Sequence, residues 1–532
     1  MPGRAGVRSV ADPSTGEPFA EVTLLDAAQA GEAVAAAAGA FPAWAAAGFA
    51  ERRRHLLRLR QAVVDDADAI AALITREQGK PVAEAHLAEI LPVLAALKHL
   101  ADGAEDVLRD EPVPSAMPLF VHKEARLLRG PVGVVLVITP WNYPFSIPMT
   151  GLAAALAAGN SVVLKPAPAT TLVGLRIGEL CRRAGLPPGL VNVVAADDAV
   201  AAGLVEDPRL GKIVFTGSGA TGRKLMAAAA RNLTPVVLEL GGKDAAVVCR
   251  DADLDRAARG IVWGAFVNAG QTCASVERVY VERPVAEEFT ARVVEETRRL
   301  RVGPPGSPET DVGPLTLERQ LRVVEEHVQD ALQRGARALT GGARLGGPGW
   351  FYPPTVLTGV DHTMRIMREE TFGPVLPVMA VASVEEAVAL ANDSEYGLTA
   401  SGWTRDPETA RRLQEGLQAG VVTINDCLSS FGEPTAPWGG VKHSGIGRLH
   451  GPAGLLEMTQ VKYVTRDQAR GPALWWYPYG ADLAGMASAA GPALYGGSLW
   501  SRLRHSLRVL ASRRFRGRVS LRALLGHADR LF

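Results

Sequence analysis

The stretch Lys212-Ile213-Val214-Phe215-Thr216-Gly217-Ser218-Gly219-Ala220-Thr221-Gly222 sets the fold. Ile213, Val214 and Phe215 are a short apolar run of the kind that makes a strand buried on both faces. The run passes straight into a G-x-G-x-x-G turn, Gly217, Gly219 and Gly222, which opens a helical stretch over residues 223–230. Such a turn lets backbone N–H groups and a helix start approach a pyrophosphate, so the unit reads as a βα element of a dinucleotide-binding layer.

The same alternation extends in both directions. Val134-Val135-Leu136-Val137-Ile138 and Ser161-Val162-Val163-Leu164 are similar runs bounded by Gly, Pro or Asn, with a helical stretch at residues 171–184. Beyond Gly242 the pattern starts again, with strands at 245–248, 278–281 and 375–381 and helices at 285–300 and 318–335. Strands alternating with helices predict βαβ units on parallel sheets. The expected class is α/β, a Rossmann-like dinucleotide-binding domain plus a second α/β domain. Ahead of both, the Ala-rich residues 26–80 predict two or three surface-packed helices, with Pro42 the main breaker.

At 532 residues, 47% of them hydrophobic, the chain can fill two or three domain cores. Its 57 basic and 56 acidic side chains leave a formal net charge of +1, so no overall field favours nucleic acid. Cys181, Cys249, Cys273 and Cys427 lie far apart with no CxxC pair or zinc-like spacing, which argues against a disulfide framework or a metal site. The amino terminus lacks the apolar core of a signal peptide, and a reducing cytoplasm is the expected compartment.

Two residues carry the candidate chemistry: Cys273, in Gly270-Gln271-Thr272-Cys273, and Glu239, in Val237-Leu238-Glu239-Leu240-Gly241-Gly242-Lys243. A thiol attacks electrophilic carbon, and a nearby carboxylate takes a proton from the thiol or from water. Glu239 also follows the Gly-rich turn by about twenty residues, where the ordinary dinucleotide rule puts a ribose-binding acid. On the residues alone, base and ribose ligand both remain open.

Further motifs settle the family. Pro140-Trp141-Asn142-Tyr143-Pro144, Lys165-Pro166-Ala167, Phe215-Thr216-Gly217-Ser218, the Glu239 and Cys273 segments, Glu370-Thr371-Phe372-Gly373-Pro374 and Pro437-Trp438-Gly439-Gly440-Val441-Lys442 follow one another in the order of a known family. Over residues 10–465 the chain resembles the aldehyde dehydrogenase superfamily, the NAD(P)-dependent enzymes that oxidise aldehydes to carboxylic acids. The resemblance implies an NAD(P)-binding domain at 1–113 and 131–241, a catalytic domain at 242–441, and a small β oligomerisation element at 114–130 and 442–467, assembled as a homodimer or homotetramer.

It also implies roles. Cys273 would add to the aldehyde carbon to give a thiohemiacetal and then a thioester, Glu239 would activate the hydrolytic water, and Asn142 would donate to the oxyanion with the backbone N–H of Cys273. For the cofactor, NAD or NADP, Lys165 would meet the adenosine ribose and Gly217, Ser218 and Gly222 the pyrophosphate. Glu370 would hold the nicotinamide ribose with Phe372 beside it, and Thr139 and Trp141 fall on the same side. Tyr143, Thr272 and Ala274 would line the substrate side, and helical spacing beyond Asn142 would turn Ile147 and Thr150 there with Tyr143.

The sequence departs from the family pattern at Pro168, three residues after Lys165, where many NAD-preferring members carry Glu. A carboxylate there would bind ribose hydroxyls and repel a 2′-phosphate, so its absence leaves NAD and NADP both open. No Arg or Lys can be aimed at a second substrate carboxylate. Two alternatives are an acylating relative that passes the acyl group to coenzyme A and a catalytically retired scaffold. Glu239 argues against the first, and the set of Cys273, Asn142, Glu239 and Glu370 against the second.

Residues 468–532 read as a basic amphipathic extension. Leu499, Leu503, Leu507 and Leu510 recur at helical spacing with Arg502, Arg504 and Arg508 off that stripe, and residues 501–532 carry nine Arg against the single acid Asp529. Such a helix suits peripheral contact with an anionic membrane, or docking on a neighbouring subunit. No apolar run is long enough to span a bilayer.

Overall fold

A computed structural model describes residues 6–117, 120, 122–468 and 472–518. They fall into two units, Met1–Leu108 with Gly130–Gln460, and Arg109–Arg129 with Val461–Phe532.

The first unit holds two parallel α/β layers. Six strands run in the order Gly445–Ile446, Val236–Glu239, Leu210–Thr216, Val134–Ile138, Ser161–Lys165 and Val191–Val193. All pairs are parallel except the edge pairing of Gly445 with Glu239 and Ile446 with Leu238. The central strand is the Val-Val-Leu-Val-Ile run, and its register sets Ile138 beside Lys165 on one flank and beside Phe215 on the other. The strand that follows Val134–Ile138 in the chain lies on one side of it and the later Leu210–Thr216 on the other, so the order reverses there. In an open α/β sheet the carboxyl ends of strands at such a reversal form a ligand crevice.

The second layer has seven strands in the order Arg337–Thr340, Thr355–Thr358, Val375–Val381, Val276–Glu282, Asp244–Val248, Thr399–Trp403 and Val421–Ile424, antiparallel only at the Arg337–Thr340 edge. This is the expected α/β class with a Rossmann-like sheet. Residues 26–80 give three helices, Ala27–Ala46, Phe49–Asp65 and Ala67–Gln78. Asp26 and Gln29 close a reciprocal capping box at the start of the first. Pro42 lies inside that helix without ending it, and Trp44 just beyond donates its indole N–H to the Leu156 carbonyl at 3.0 Å.

One irregularity matters for the site. After Val82–Glu84 the chain widens into a π-helical turn, Ala85–Ile90, before the helix Leu91–Leu108. The wide turn points Glu89 into the protein, fully buried, and leaves Leu87 exposed.

The second unit contains a three-stranded sheet of Thr459–Asp467, Lys123–Pro131 and Glu111–Pro112, and the helices Ala481–Tyr495 and Leu499–Ala511. The hairpin expected near residues 114–130 pairs Glu111 with Leu127 and Pro112 with Arg126. Residues 118, 119 and 121 of it, and 519–532 of the tail, lie outside the described residues.

Candidate active site

The carboxyl ends of the six-stranded sheet gather the predicted residues. Thr139 follows the central strand and donates its N–H to the Lys165 carbonyl at 3.2 Å. Gly217 follows Leu210–Thr216 and donates to the Glu239 carbonyl at 3.0 Å. Ser218 caps the helix Gly219–Ala229, its hydroxyl accepting the Thr221 N–H at 3.3 Å. Gly222 lies where a Cβ would stand 2.7 Å from the Leu240 side chain, so it closes the helix onto the next strand connection. Lys165 is buried, with its ammonium 3.6 Å from the exposed Asp198 carboxylate, and burial lowers its pKa.

Cys273 sits on a loop whose shape is unusual for its residues. Asn268, Ala269 and Gly270 all take left-handed φ of 55°, 54° and 71°. At Gly270 a side chain is excluded outright, since a Cβ would stand 2.2 Å from the Gly373 carbonyl oxygen. Asn268 is held by bonds: it donates its side-chain amide to the carbonyls of Asn142 and Gln271 at 2.9 and 3.0 Å and its backbone N–H to Glu84 at 2.8 Å. Asn142 in turn donates its amide to the Gln271 carbonyl at 2.9 Å. The loops carrying Asn142 and Cys273 are thus stitched together two residues from the sulfur.

The Cys273 thiol is pushed up by burial first and then by the acidic side chains of Asp244, Glu370 and Glu239. It therefore keeps its proton at neutral pH and needs a base to become a nucleophile. Glu239 is 3% exposed, and neither carboxylate oxygen has a hydrogen-bond partner. Burial holds its pKa well above the ordinary carboxylate range, with Arg448 opposing weakly. Gly439 makes room for it, with φ 150° and a Cβ position only 2.9 Å from Oε1.

Glu370 accepts the Gly242 N–H at 2.9 Å, and burial raises it to about 8. Phe372, at φ 51°, stacks edge-on to Trp141 with ring centres 5.5 Å apart. The Thr371–Phe372 backbone is set by Glu277, which accepts the N–H groups of Thr371 and Phe372 at 2.8 and 2.9 Å and pairs with the buried Lys243 at 2.6 Å.

A tunnel leads from solvent to the thiol. Tyr143, Ile147, Thr272, Cys273 and Ala274 line it with Leu87, Ala88, Pro92, Trp263, Val267, Leu428, Ser429, Phe431, Gly432 and Trp438, around about 760 Å³ with its open mouth included. Among the described residues no charged side chain lines it. Phe431 stacks edge-on to Trp438 at 5.2 Å, and Leu87 and Trp263 remain 66% and 52% exposed.

The model of the aldehyde dehydrogenase family matches residues 3–464. The chain belongs to that family. It is 42% identical over 82% of its length to 4,4'-diapolycopene aldehyde oxidase of Methylomonas sp, and 40% identical over 82% to peroxisomal aminoaldehyde dehydrogenase 1 of Pisum sativum, covering 82% and 86% of those proteins. A solved NAD-dependent aldehyde dehydrogenase from Sinorhizobium meliloti superposes with a TM-score of 0.85 at 37% identity, over 89% of this chain and 93% of that one.

In this member of the aldehyde dehydrogenase family, Tyr143, Ile147, Thr272, Cys273 and Ala274 line one tunnel. Thr150 does not: its hydroxyl donates to the Ser146 and Ile147 carbonyls at 2.9 and 3.1 Å, because one further helical turn carries it past the wall to a separate small cavity beside His450. Sequence reasoning missed the Lys80–Glu89 pair. Lys80 contacts Glu89 at 2.5 Å, donates to the Asn142 carbonyl at 3.0 Å and lies 3.7 Å from the Tyr143 ring centre, while Glu89 accepts the N–H groups of Phe145 and Ser146. The signal available was Lys80 followed by Glu84 and Glu89 in a stretch otherwise mostly apolar. The tunnel mouth carried no signal, because Leu87, Trp263 and Phe431 come from three distant segments.

Proposed function

We propose that this protein oxidises an uncharged, extended apolar aldehyde to the carboxylic acid, with NAD or NADP as acceptor. The observation that carries the reading is a half-buried thiol at the end of an apolar tunnel with an unpartnered, buried carboxylate among the acids that act on it. Burial raises the Glu239 pKa, which makes its carboxylate a stronger base than an exposed one toward a thiol or water. The thiolate of Cys273 adds to the carbonyl carbon, and the C–O π pair moves to oxygen. One N–H of the Asn142 amide is held by Gln271, and its second, with the backbone N–H of Cys273, meets the oxyanion. Such preaimed donors typically lower a barrier by about 3 kcal/mol. The dinucleotide, when bound, supplies the hydride acceptor. As the carbon gives up hydride the C–O π bond re-forms and leaves the thioester. Glu239, having released the thiol's proton to solvent, takes a proton from water, whose oxygen bonds the carbonyl carbon as the C–S bond breaks and the sulfur departs as thiolate.

The residues present suit a dinucleotide. Gly217 and Ser218 bring backbone N–H groups to a helix start, Lys165 ends a strand two places along the same sheet edge, and Glu370 and Phe372 bracket the far end with Trp141 and Thr139. We assign the six-stranded layer to cofactor binding and the seven-stranded layer to catalysis. The Thr459–Asp467 strand, with Val461 and Tyr463 57% and 58% exposed, is the element for pairing into a homodimer or homotetramer. The enzyme is proposed to work in the cytoplasm.

The tunnel argues for substrate class. An aldehyde bearing a carboxylate or ammonium would bury that charge without a partner, which is costly. The Tyr143 ring is closed to a substrate cation, because Lys80 already stands against it. The 4,4'-diapolycopene aldehyde in the name of the Methylomonas relative agrees with an apolar substrate. The test is reduced-nicotinamide absorbance across a series of n-alkanals, ω-carboxy aldehydes and amino aldehydes with each cofactor. kcat/KM should climb by about fourfold per added methylene, from roughly 0.8 kcal/mol each, until the tunnel is filled. Preference for a charged aldehyde would overturn the substrate class.

A further inference from the structure

We propose that the C-terminal helical extension is a docking surface for an anionic lipid bilayer. The helix Leu499–Ala511 is built the wrong way round for a protein core. Its half-buried residues are Ser501, His505, Ser506 and Val509, while Leu499, Trp500, Leu503, Leu507 and Leu510 are 73%, 82%, 50%, 67% and 45% exposed. At 100° per residue those five fall in one arc of roughly 100°, with Arg504 and Arg502 roughly 40° and 60° beyond its two edges. Single exposed leucines are ordinary, but a contiguous large apolar face marks a binding surface.

The orientation is fixed by the fold of the extension itself. Asp482, in the helix Ala481–Tyr495, accepts the Ser512 hydroxyl at 2.9 Å and the Arg513 N–H at 3.2 Å, closing the two helices into a hairpin. Tyr477, Tyr479 and Tyr495 add exposed aromatic rings to the same unit, residues that favour the headgroup level of a membrane. No helix of the described residues is long and apolar enough to cross a membrane, so the helix would lie in the interface.

Charge selects the occupant. Residues 499–518 hold seven Arg and no Asp or Glu. A second copy docked symmetrically on this face would bring two arginine borders together, whereas anionic headgroups neutralise them and the apolar arc enters the acyl boundary. The inference deepens the apolar-aldehyde reading, on which it rests for its purpose: a lipophilic aldehyde partitions into the surface on which the enzyme sits.

The experiment is flotation of the full-length protein with phosphatidylcholine vesicles, with and without phosphatidylglycerol. Wild type should bind the phosphatidylglycerol vesicles at least about tenfold better than phosphatidylcholine alone, and the advantage should shrink as salt is raised. Leu503→Glu/Leu507→Glu, both on the exposed arc, should lose that binding at least about tenfold while keeping its melting temperature and its turnover of a short water-soluble aldehyde. Absence of vesicle binding by wild type, or binding unchanged in the double variant, overturns the proposal. So does a double variant whose only change is a smaller solution mass by light scattering, since that makes a second copy the occupant. Vesicle binding by a protein inactive on every aldehyde would sustain the docking surface and sink the catalytic reading instead.

Discussion

The Tyr143 hydroxyl lies 2.9 Å from the Thr272 hydroxyl oxygen, and this contact joins the residue after Asn142 to the residue before Cys273. With the Asn142 amide on the Gln271 carbonyl at 2.9 Å, two side-chain bonds hold the two loops in register. Lys80 presses on the Tyr143 ring from behind and bonds the Asn142 carbonyl. Burial of so many polar groups is stable only when each is satisfied, which makes the clasp rigid and its parts interdependent.

Tyr143→Phe keeps the ring and the cation contact and removes only the hydroxyl. Thr272 then loses a buried partner, at a cost of about 1 kcal/mol. If that cost appears as looser positioning of the nucleophile, kcat should fall roughly fivefold with KM for an apolar aldehyde little changed. Steady-state kinetics decide it. A rise in KM alone would make Tyr143 a wall residue and nothing more.

Cys273→Ala should abolish reduced-nicotinamide formation with every aldehyde while leaving the melting temperature near that of wild type. The other thiols do not substitute for it. Cys181, Cys249 and Cys427 are at most 4% exposed, and burial raises each to about 12. Cys249→Ala should accordingly stay active. Turnover surviving in Cys273→Ala would remove the nucleophile assignment.

For Glu239 the sign of the pH effect follows from burial. Its folded pKa lies well above the ordinary value, so the carboxylate form needed to take a proton is scarce at low pH and grows as pH rises through the raised pKa. A deacylation-limited kcat should therefore keep rising with pH above the range where an exposed carboxylate, of pKa about 4.3, is fully ionised. Glu239→Gln should flatten that limb and lower steady-state kcat by about 10²–10⁴-fold while sparing the first-turnover burst. Loss of dinucleotide binding in this variant, measured by calorimetry, would instead favour a ribose role for Glu239. Recovery of wild-type turnover on adding coenzyme A alone would favour acyl transfer.

What could be read from the chain, and what could not, divides along physical lines. The strand Val134–Ile138 was legible because an apolar run with four β-branched residues between a glycine and a threonine favours a buried parallel strand. Thr399–Trp403 was not, since Thr-Ala-Ser-Gly-Trp has weak strand preference and is a strand because Asp244–Val248 and Val421–Ile424 pair with it on both sides. Asn142, Glu239 and Cys273 stood out because each lies in a short contiguous motif. The tunnel mouth did not, because Leu87 owes its position to a π-helical turn and Phe431 to a distant loop, and neither leaves a periodic trace. Lys80 and Glu89 were invisible as a pair until the helix between them placed both side chains inward.

Cofactor choice gives the last prediction. Pro168 supplies no carboxylate beside Lys165, yet the structure brings another acid there, Asp198, 92% exposed and 3.6 Å from the ammonium. A carboxylate at that place competes for Lys165 and repels a 2′-phosphate, so Asp198 takes over part of what a glutamate at 168 would do. Arg8 acts on Lys165 in the opposite sense, adding positive charge to the same neighbourhood. Asp198→Asn should therefore raise kcat/KM with NADP relative to NAD by about three- to tenfold, a modest factor because the acid is exposed and screened by solvent and salt. The shift should reside in the KM for NADP and diminish at high ionic strength. An unchanged ratio at low salt would show that Asp198 does not reach the ribose, and the discrimination would then have to be sought at Lys165 and Arg8.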